Sequence, residues 1–332
     1  MLFIYFLLIP FVCFADVQVP AGLGAIPWPE DNPYTEKKAE LGRYLFFDKR
    51  LSGDGTVSCA TCHDPAKGFT DQISVSVGIQ GNQGTRNAQT VINSAYVKKL
   101  FWDGRADSLE DQCRGPIANP KEMALADDPH VAYKNCHNRL FAIPGYRKLF
   151  KEAFGEENFT LDQVVQAIAT YERTILSGNS AFDKFILGDK SAMTPEQIHG
   201  MRIFNKKNCA TCHFGLTFTD GKFHNIGVGM DKPNPDLGRY NITHDPKDWG
   251  AFRTPGLRDV HDSPPYMHDG SLKTLAEVID YYDRGGNPNK NLHPAMTPLN
   301  LTPEEKKALL SFMEALNGEG WQHATPPEKF PE

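Results

Sequence analysis

Cys59-Ala60-Thr61-Cys62-His63 and Cys209-Ala210-Thr211-Cys212-His213 are one pentapeptide, repeated letter for letter in a chain of 332 residues. Each is a CxxCH motif, the attachment signal for c-type haem. Two thiols three residues apart on one turn can form thioethers with the two haem vinyls, which brings the next residue, histidine, beneath the iron as its axial ligand. A zinc site or a pair of disulfides would also use CxxC spacing, but neither explains a histidine directly after both motifs. The sequence therefore predicts two covalent haems c, one on Cys59, Cys62 and His63, the other on Cys209, Cys212 and His213.

The compartment agrees with that chemistry. Residues 2–15 are apolar and uncharged and end in Cys13-Phe14-Ala15, which predicts a secretory signal over residues 1–15, cleaved after Ala15. The run is shorter than the ~20 apolar residues that span a bilayer. The mature chain is expected in the periplasm. A hydrophobic content of 40% is enough for a full core, and a formal charge of −6 without a basic stretch argues against nucleic acid as a partner. Of seven cysteines, four belong to the haem motifs and Cys13 leaves with the signal. Cys113 and Cys136 remain, a candidate disulfide in an oxidising compartment, with two free buried thiols as the alternative.

The repeat is longer than the motif. Glu40-Leu41-Gly42-Arg43-Tyr44-Leu45-Phe46 precedes the first CxxCH and Ile198-His199-Gly200-Met201-Arg202-Ile203-Phe204 the second, and both read as amphipathic helices leading to a haem. Phe69-Thr70-Asp71 and Phe218-Thr219-Asp220 continue the echo downstream. Duplicated modules explain this, with residues 16–176 and 177–332 as the two domains. Thr35, Thr194-Pro195-Glu196-Gln197 and Thr302-Pro303-Glu304-Glu305 are helix starts. Leu161 to Leu176 reads as a helix linking the domains. Strand-like alternation is scarce, and Gly227 to Gly238 and Gly285 to Pro294 read as long loops. The expected fold is mainly α, two cytochrome-c-like haem domains with long loops.

Between the motifs, Phe101-Trp102-Asp103-Gly104-Arg105, Gln112, Pro116-Ile117 and Glu122-Met123 are followed, near the second CxxCH, by Pro265-Tyr266-Met267-His268-Asp269-Gly270. With both motifs in register, nearly the whole mature chain resembles the bacterial di-haem cytochrome c peroxidase and MauG family. The resemblance implies that Glu122 and Gln112 lie in the distal pocket of the first haem, with Glu122 moving a proton during peroxide O–O cleavage. It implies that Pro116 shapes the same pocket and that Trp102 couples the two haems. It also implies a calcium ion between the domains, on Asn87, Ser263 and Pro265, an all-oxygen set suited to a hard cation.

The sixth ligands separate the branches of the family. Many of its peroxidases carry a distal histidine in the loop matching Val77-Gly78-Ile79-Gln80-Gly81-Asn82, and no histidine occurs between His63 and His130. The first haem is therefore expected to be open. At the position where the usual peroxidase binds its second iron through methionine, this chain has Tyr282, with Met267 and Met296 as alternative ligands. Both features resemble the MauG-like (MbnH-like) branch, which implies that hydrogen peroxide raises both irons to a high-valent pair that oxidises a protein partner. A conventional peroxidase fed by a small cytochrome c or copper protein is the second reading, and a non-enzymatic di-haem electron carrier the third. One departure stands out: where MauG has a tryptophan, two residues before its second CxxCH, this chain has Lys207, so electrons must take another route.

Overall fold

The structure is a computed structural model that describes residues 17–332; the expected signal, residues 1–15, lies outside the described residues. The helices run in the order α1 (Glu36–Phe47), α2 (Cys59–Cys62), α3 (Leu109–Ala118), α4 (Pro129–Phe141), α5 (Pro144–Phe154), α6 (Leu161–Glu172), α7 (Ala181–Ile186), α8 (Pro195–Lys206), α9 (Tyr240–Thr243), α10 (Leu275–Asp283) and α11 (Pro303–Glu314). Among the described residues the only paired strands are β1 (Phe223–His224) and β2 (Phe252–Arg253), antiparallel to each other. The chain is mainly α, as its sequence predicts. Long loops, including residues 227–238 and 285–294, carry much of the remainder.

The helix starts follow from their caps. Thr35 accepts from Lys38 N, while Thr194 with Gln197 and Thr302 with Glu305 form reciprocal capping boxes that satisfy otherwise orphaned N–H groups. Thr160 and Gln163 do the same at α6.

Among the described residues two main apolar cores result, beside a small cluster of Leu100, Ala106, Leu109 and Ala169. One gathers Leu41, Leu45 and Phe46 of α1 with Val164, Val165 and Ile168 of α6 and with side chains of α3, α4 and α5. The other gathers Ile203 and Phe204 of α8 with Leu309, Phe312 and Met313 of α11. The same glycine device closes each. A Cβ on Gly42 would stand 1.9 Å from the Ala167 carbonyl oxygen, and one on Gly200 would stand 1.9 Å from that of Ala308. Only glycine lets α1 cross α6, and α8 cross α11, at that approach. The next neighbours also correspond, Tyr171 in one half and Phe312 in the other. The duplication thus includes a whole helix pair whose second members share little sequence.

Two expectations need correction. The helix read from Leu161 to Leu176 stops at Glu172, and it packs on α1 and α3 inside the first core and does not bridge the halves. Its end is set by Arg173, whose guanidinium turns to Glu110 on α3 in two bonds of 2.7 and 2.8 Å. Cys113 and Cys136 are free buried thiols, not a disulfide. The Cys113 thiol donates to Glu172 Oε2 at 3.8 Å, which turns it toward α6, while Cys136 is buried on α4.

Candidate functional site

Each CxxCH sits on a tight turn of helix. Cys59–Cys62 form α2, started by Ser58, whose N–H donates to Thr61 Oγ1 at 2.9 Å. Cys209–Thr211 form a 3₁₀ turn entered through Asn208 at φ 62°. In both, the histidine N–H closes the turn on the first cysteine carbonyl, at 2.9 Å for His63 and 3.0 Å for His213. The downstream echo now acquires a role. His63 Nδ1 faces the Phe69 carbonyl at 3.3 Å and His213 Nδ1 the Phe218 carbonyl at 3.1 Å. A carbonyl can only accept, so Nδ1 carries the proton and Nε2 presents its lone pair, as an axial ligand must. Burial lowers the pKa of both rings and keeps them neutral. Phe69 and Phe218 reach this position with φ of 57° and 55°, left-handed values that few side chains adopt.

Haem fits these residues. All four motif cysteines are unpaired thiols. A cavity of about 320 Å³ opens over Cys209, Cys212 and His213, and Tyr282 lines it. Tyr282 comes from α10, capped by Thr274, and its neighbour Tyr281 is fixed by donating to the Ile226 carbonyl at 2.8 Å. Burial raises the Tyr282 pKa, and the sulfurs of Cys209 and Cys212 push it the same way. A phenolate there needs a cation facing it. Met267 and Met296 line the same cavity.

Trp102 also lines the cavity and donates Nε1–H to the Asn87 carbonyl at 2.9 Å. The segment holding it is clamped from both halves. Arg86 pairs with Asp103 at 2.5 Å and with Asp236 at 2.6 Å, and Arg253 N donates to the Trp102 carbonyl at 2.8 Å. Asn87, Ser263 and Pro265 also line this cavity. Asn87 Nδ2 donates to the Ile73 carbonyl at 2.9 Å, which leaves its amide oxygen as the remaining acceptor.

In the first half, α3 carries two of the residues expected at the first haem. Leu109, Cys113 and Ile117 form its buried face, and Gln112 and Pro116 stand one turn apart on a neighbouring face. Glu122 follows in a turn in which Asn119 Nδ2 donates to its Oε1 at 2.7 Å. Burial raises the Glu122 pKa, while the Asn119 bond and the charge of Arg105 pull it back. Burial raises the pKa of the Cys62 thiol, and the Asp71 and Glu122 carboxylates are near enough to push it the same way. The loop at Val77–Asn82 rests on Glu122: Ile79 N donates to the Glu122 carbonyl at 3.0 Å, and a Cβ on Gly78 would stand 2.7 Å from the Glu122 Cα.

Some residues at the second site escaped the sequence reading. His224 Nε2 lies 2.8 Å from Asp220 Oδ2, and Cys212, Asp220 and His224 offer ligand atoms within 4.8 Å of one another. Contact with the Cys212 sulfur, then with Asp220, raises the His224 pKa to about 9. A Cys212 tied up as a thioether cannot ionise, so Asp220 is the partner that remains. Asp220 was visible in the Phe-Thr-Asp echo; nothing in sequence marked His224, four residues on.

Comparison with known proteins gives the same picture. Residues 36–191 match the family model "Di-haem cytochrome c peroxidase" and residues 198–317 match "Cytochrome c". The chain is 42% identical to the methylamine utilization protein MauG of Methylorubrum extorquens, over 89% of this chain and 82% of that one. It is 39% identical to cytochrome-c peroxidase IdrP1 of Pseudomonas sp. (strain SCT), over 91% and 87% respectively. A crystal structure of a MauG-like protein associated with microbial copper homeostasis superposes with a TM-score of 0.86 at 32% identity, covering 95% of this chain and 99% of that one. Relatives this similar over nearly the whole chain include enzymes that act on peroxide, and the chain belongs to the di-haem cytochrome c peroxidase and MauG family.

Proposed function

We propose that this chain is a periplasmic peroxidase of the MauG-like branch, exported by its first fifteen residues and divided at residues 176/177 into a peroxide-reacting half and an electron-storing half. When bound, the haems would supply the redox chemistry: reduction of hydrogen peroxide at the first site, and the passing of two oxidising equivalents, held across both sites, to a protein partner. Glu122 takes the proton from one peroxide oxygen and returns it to the other, the role of a carboxylate whose pKa burial has raised toward its working range. Asn119 holds that carboxylate in place. Gln112 and Pro116 border the same pocket and exclude bulk water. Trp102 carries electrons between the halves while its N–H stays bonded to the Asn87 carbonyl, and Asn87, Ser263 and Pro265 hold a calcium ion that stiffens this junction. Tyr282 provides the anionic ligand at the second site.

The observation that carries this reading is the Val77–Asn82 loop. It packs against Glu122 and has no histidine to block the first site. The test is stopped-flow mixing of the fully ferric protein with hydrogen peroxide. A prompt Soret change without prior reduction is the expected result, and a requirement for half-reduction would overturn it. Met267 and Met296 in the second cavity favour the conventional peroxidase as the other reading, with a small cytochrome c or copper protein as donor.

A further inference from the structure

Trp321 belongs to the C-terminal tail yet packs against the first core. Its ring meets Phe69 edge-on, with centroids 6.2 Å apart, and Phe69 is the fully buried residue whose carbonyl orients His63. Two contacts therefore separate Trp321 from the first axial ligand. On its other side the indole is half-buried, and it is followed by exposed Gln322 and His323. Its Nε1–H donates to Asp259 Oδ1 at 3.1 Å. Asp259 is only 2% exposed and forms no ion pair among the described residues; it also accepts from Gly318 N at 3.0 Å, and the Ser177 hydroxyl faces it. A buried carboxylate with no cation is costly to keep ionised, and burial raises its pKa.

The contrast with Trp102 gives this pair a meaning. The Trp102 N–H faces a backbone carbonyl, which cannot take a proton, whereas the Trp321 N–H faces a carboxylate, which can. Loss of an electron makes the indole N–H about as acidic as a carboxylic acid, so a buried carboxylate in contact can take its proton, which eases the oxidation and traps the neutral radical. We propose that Trp321, with Asp259 as proton acceptor, is an oxidisable relay by which a one-electron donor at the C-terminal face delivers electrons to the first haem site. The step balances: Trp321 gives one electron inward and its Nε1 proton to Asp259. A donor electron and the returned proton then restore the indole. Two such cycles supply the two electrons that turn hydrogen peroxide and two protons into two waters. This route also answers the substitution of lysine at position 207.

The proposal rests on peroxide being reduced at the first site, and the test separates the two. The two-haem protein is mixed with hydrogen peroxide without donor, freeze-quenched, and examined by electron paramagnetic resonance, with peroxide consumption followed in parallel. The expected result is a tryptophanyl signal that narrows on ring-deuteration of tryptophan, is the same in H₂O and D₂O, and is lost in Trp321→Phe. In Asp259→Asn, which keeps the acceptor oxygen but cannot take the proton, the signal should vanish or become sensitive to D₂O. Peroxide consumption with an unchanged radical in Trp321→Phe, with no tryptophan radical, or with D₂O sensitivity in the wild type overturns the relay alone. Absence of peroxide consumption overturns the underlying reading instead. Should Trp321→Phe fail to load haem, Trp321→Tyr decides: the tryptophanyl signal must give way to a tyrosyl one.

Discussion

The two halves hold their CxxCH histidines by one device and differ in almost everything around it. Beneath each motif, a helix crosses its partner at a glycine, Gly42 or Gly200, and a phenylalanine carbonyl fixes the histidine tautomer. Above the first motif stand Glu122 and a loop without histidine; above the second lies a cavity lined by Tyr282, Met267 and Met296. Even equivalent core positions diverge. One residue beyond Tyr171 is Glu172, and one beyond its counterpart Phe312 is Met313, both buried. The parts that hold a haem are thus shared, and the parts that decide its chemistry are not.

The largest expected effect tests this division. Glu122→Gln keeps the shape and the Asn119 contact but removes the titrating group, and should slow the reaction with peroxide by on the order of 10² to 10⁴ at unchanged haem content. Tyr282→Phe should leave that first encounter near wild type in stopped-flow. Equal slowing in both variants would break the comparison.

Each half also contains a buried arginine–carboxylate pair. Asp183 and Arg258, with side chains 3% and 4% exposed, form the more buried one at 2.7 Å. Asp183→Ala strands the guanidinium and should cost about 3–5 kcal/mol in denaturant unfolding. Burial alone would raise the Asp183 pKa, but the Arg258 bond and charge outweigh it, and the net shift is downward. Its contribution is therefore complete above the unfolded carboxylate value of about 4 and disappears as pH falls through the lower folded value. The variant should lose less stability than wild type on acidification through that range.

Smaller effects test the shared helix pair. Gly42→Ala and Gly200→Ala each push a methyl into a carbonyl and should cost about 1–3 kcal/mol apiece, by similar amounts. A large asymmetry would mean that the crossings are not equivalent. The smallest effect is a slope. Burial raises the Glu172 pKa from 4.5 to about 8. Between those values the folded chain holds a proton that the unfolded chain has released, so stability falls as pH rises. Glu172→Gln should flatten the fall in melting temperature across that window.

Much of this was legible in sequence because it depends on local order. The CxxCH motifs, the three threonine-started helices and the paired approach helices are short-range patterns, and the structure reproduces them. The end of α6 was not legible, since it depends on Arg173 finding Glu110 sixty-three residues away. Nor was the state of Cys113, whose partner is an acid on another helix and not the other remaining cysteine. The role of the Phe-Thr-Asp echo lay in a backbone carbonyl, an atom that every residue has and no letter encodes. The His224–Asp220 bond and the Trp321–Asp259 contact join side chains that no local pattern pairs.

The account stands most directly on what peroxide does to the second iron. Mössbauer spectroscopy of the wild type, frozen after reaction with one equivalent of hydrogen peroxide, reads both irons at once. Both should leave the ferric state together, and Tyr282→Met should confine the change to the first. A second iron that stays ferric in the wild type, or that shows methionine ligation, would contradict the account and favour the conventional peroxidase.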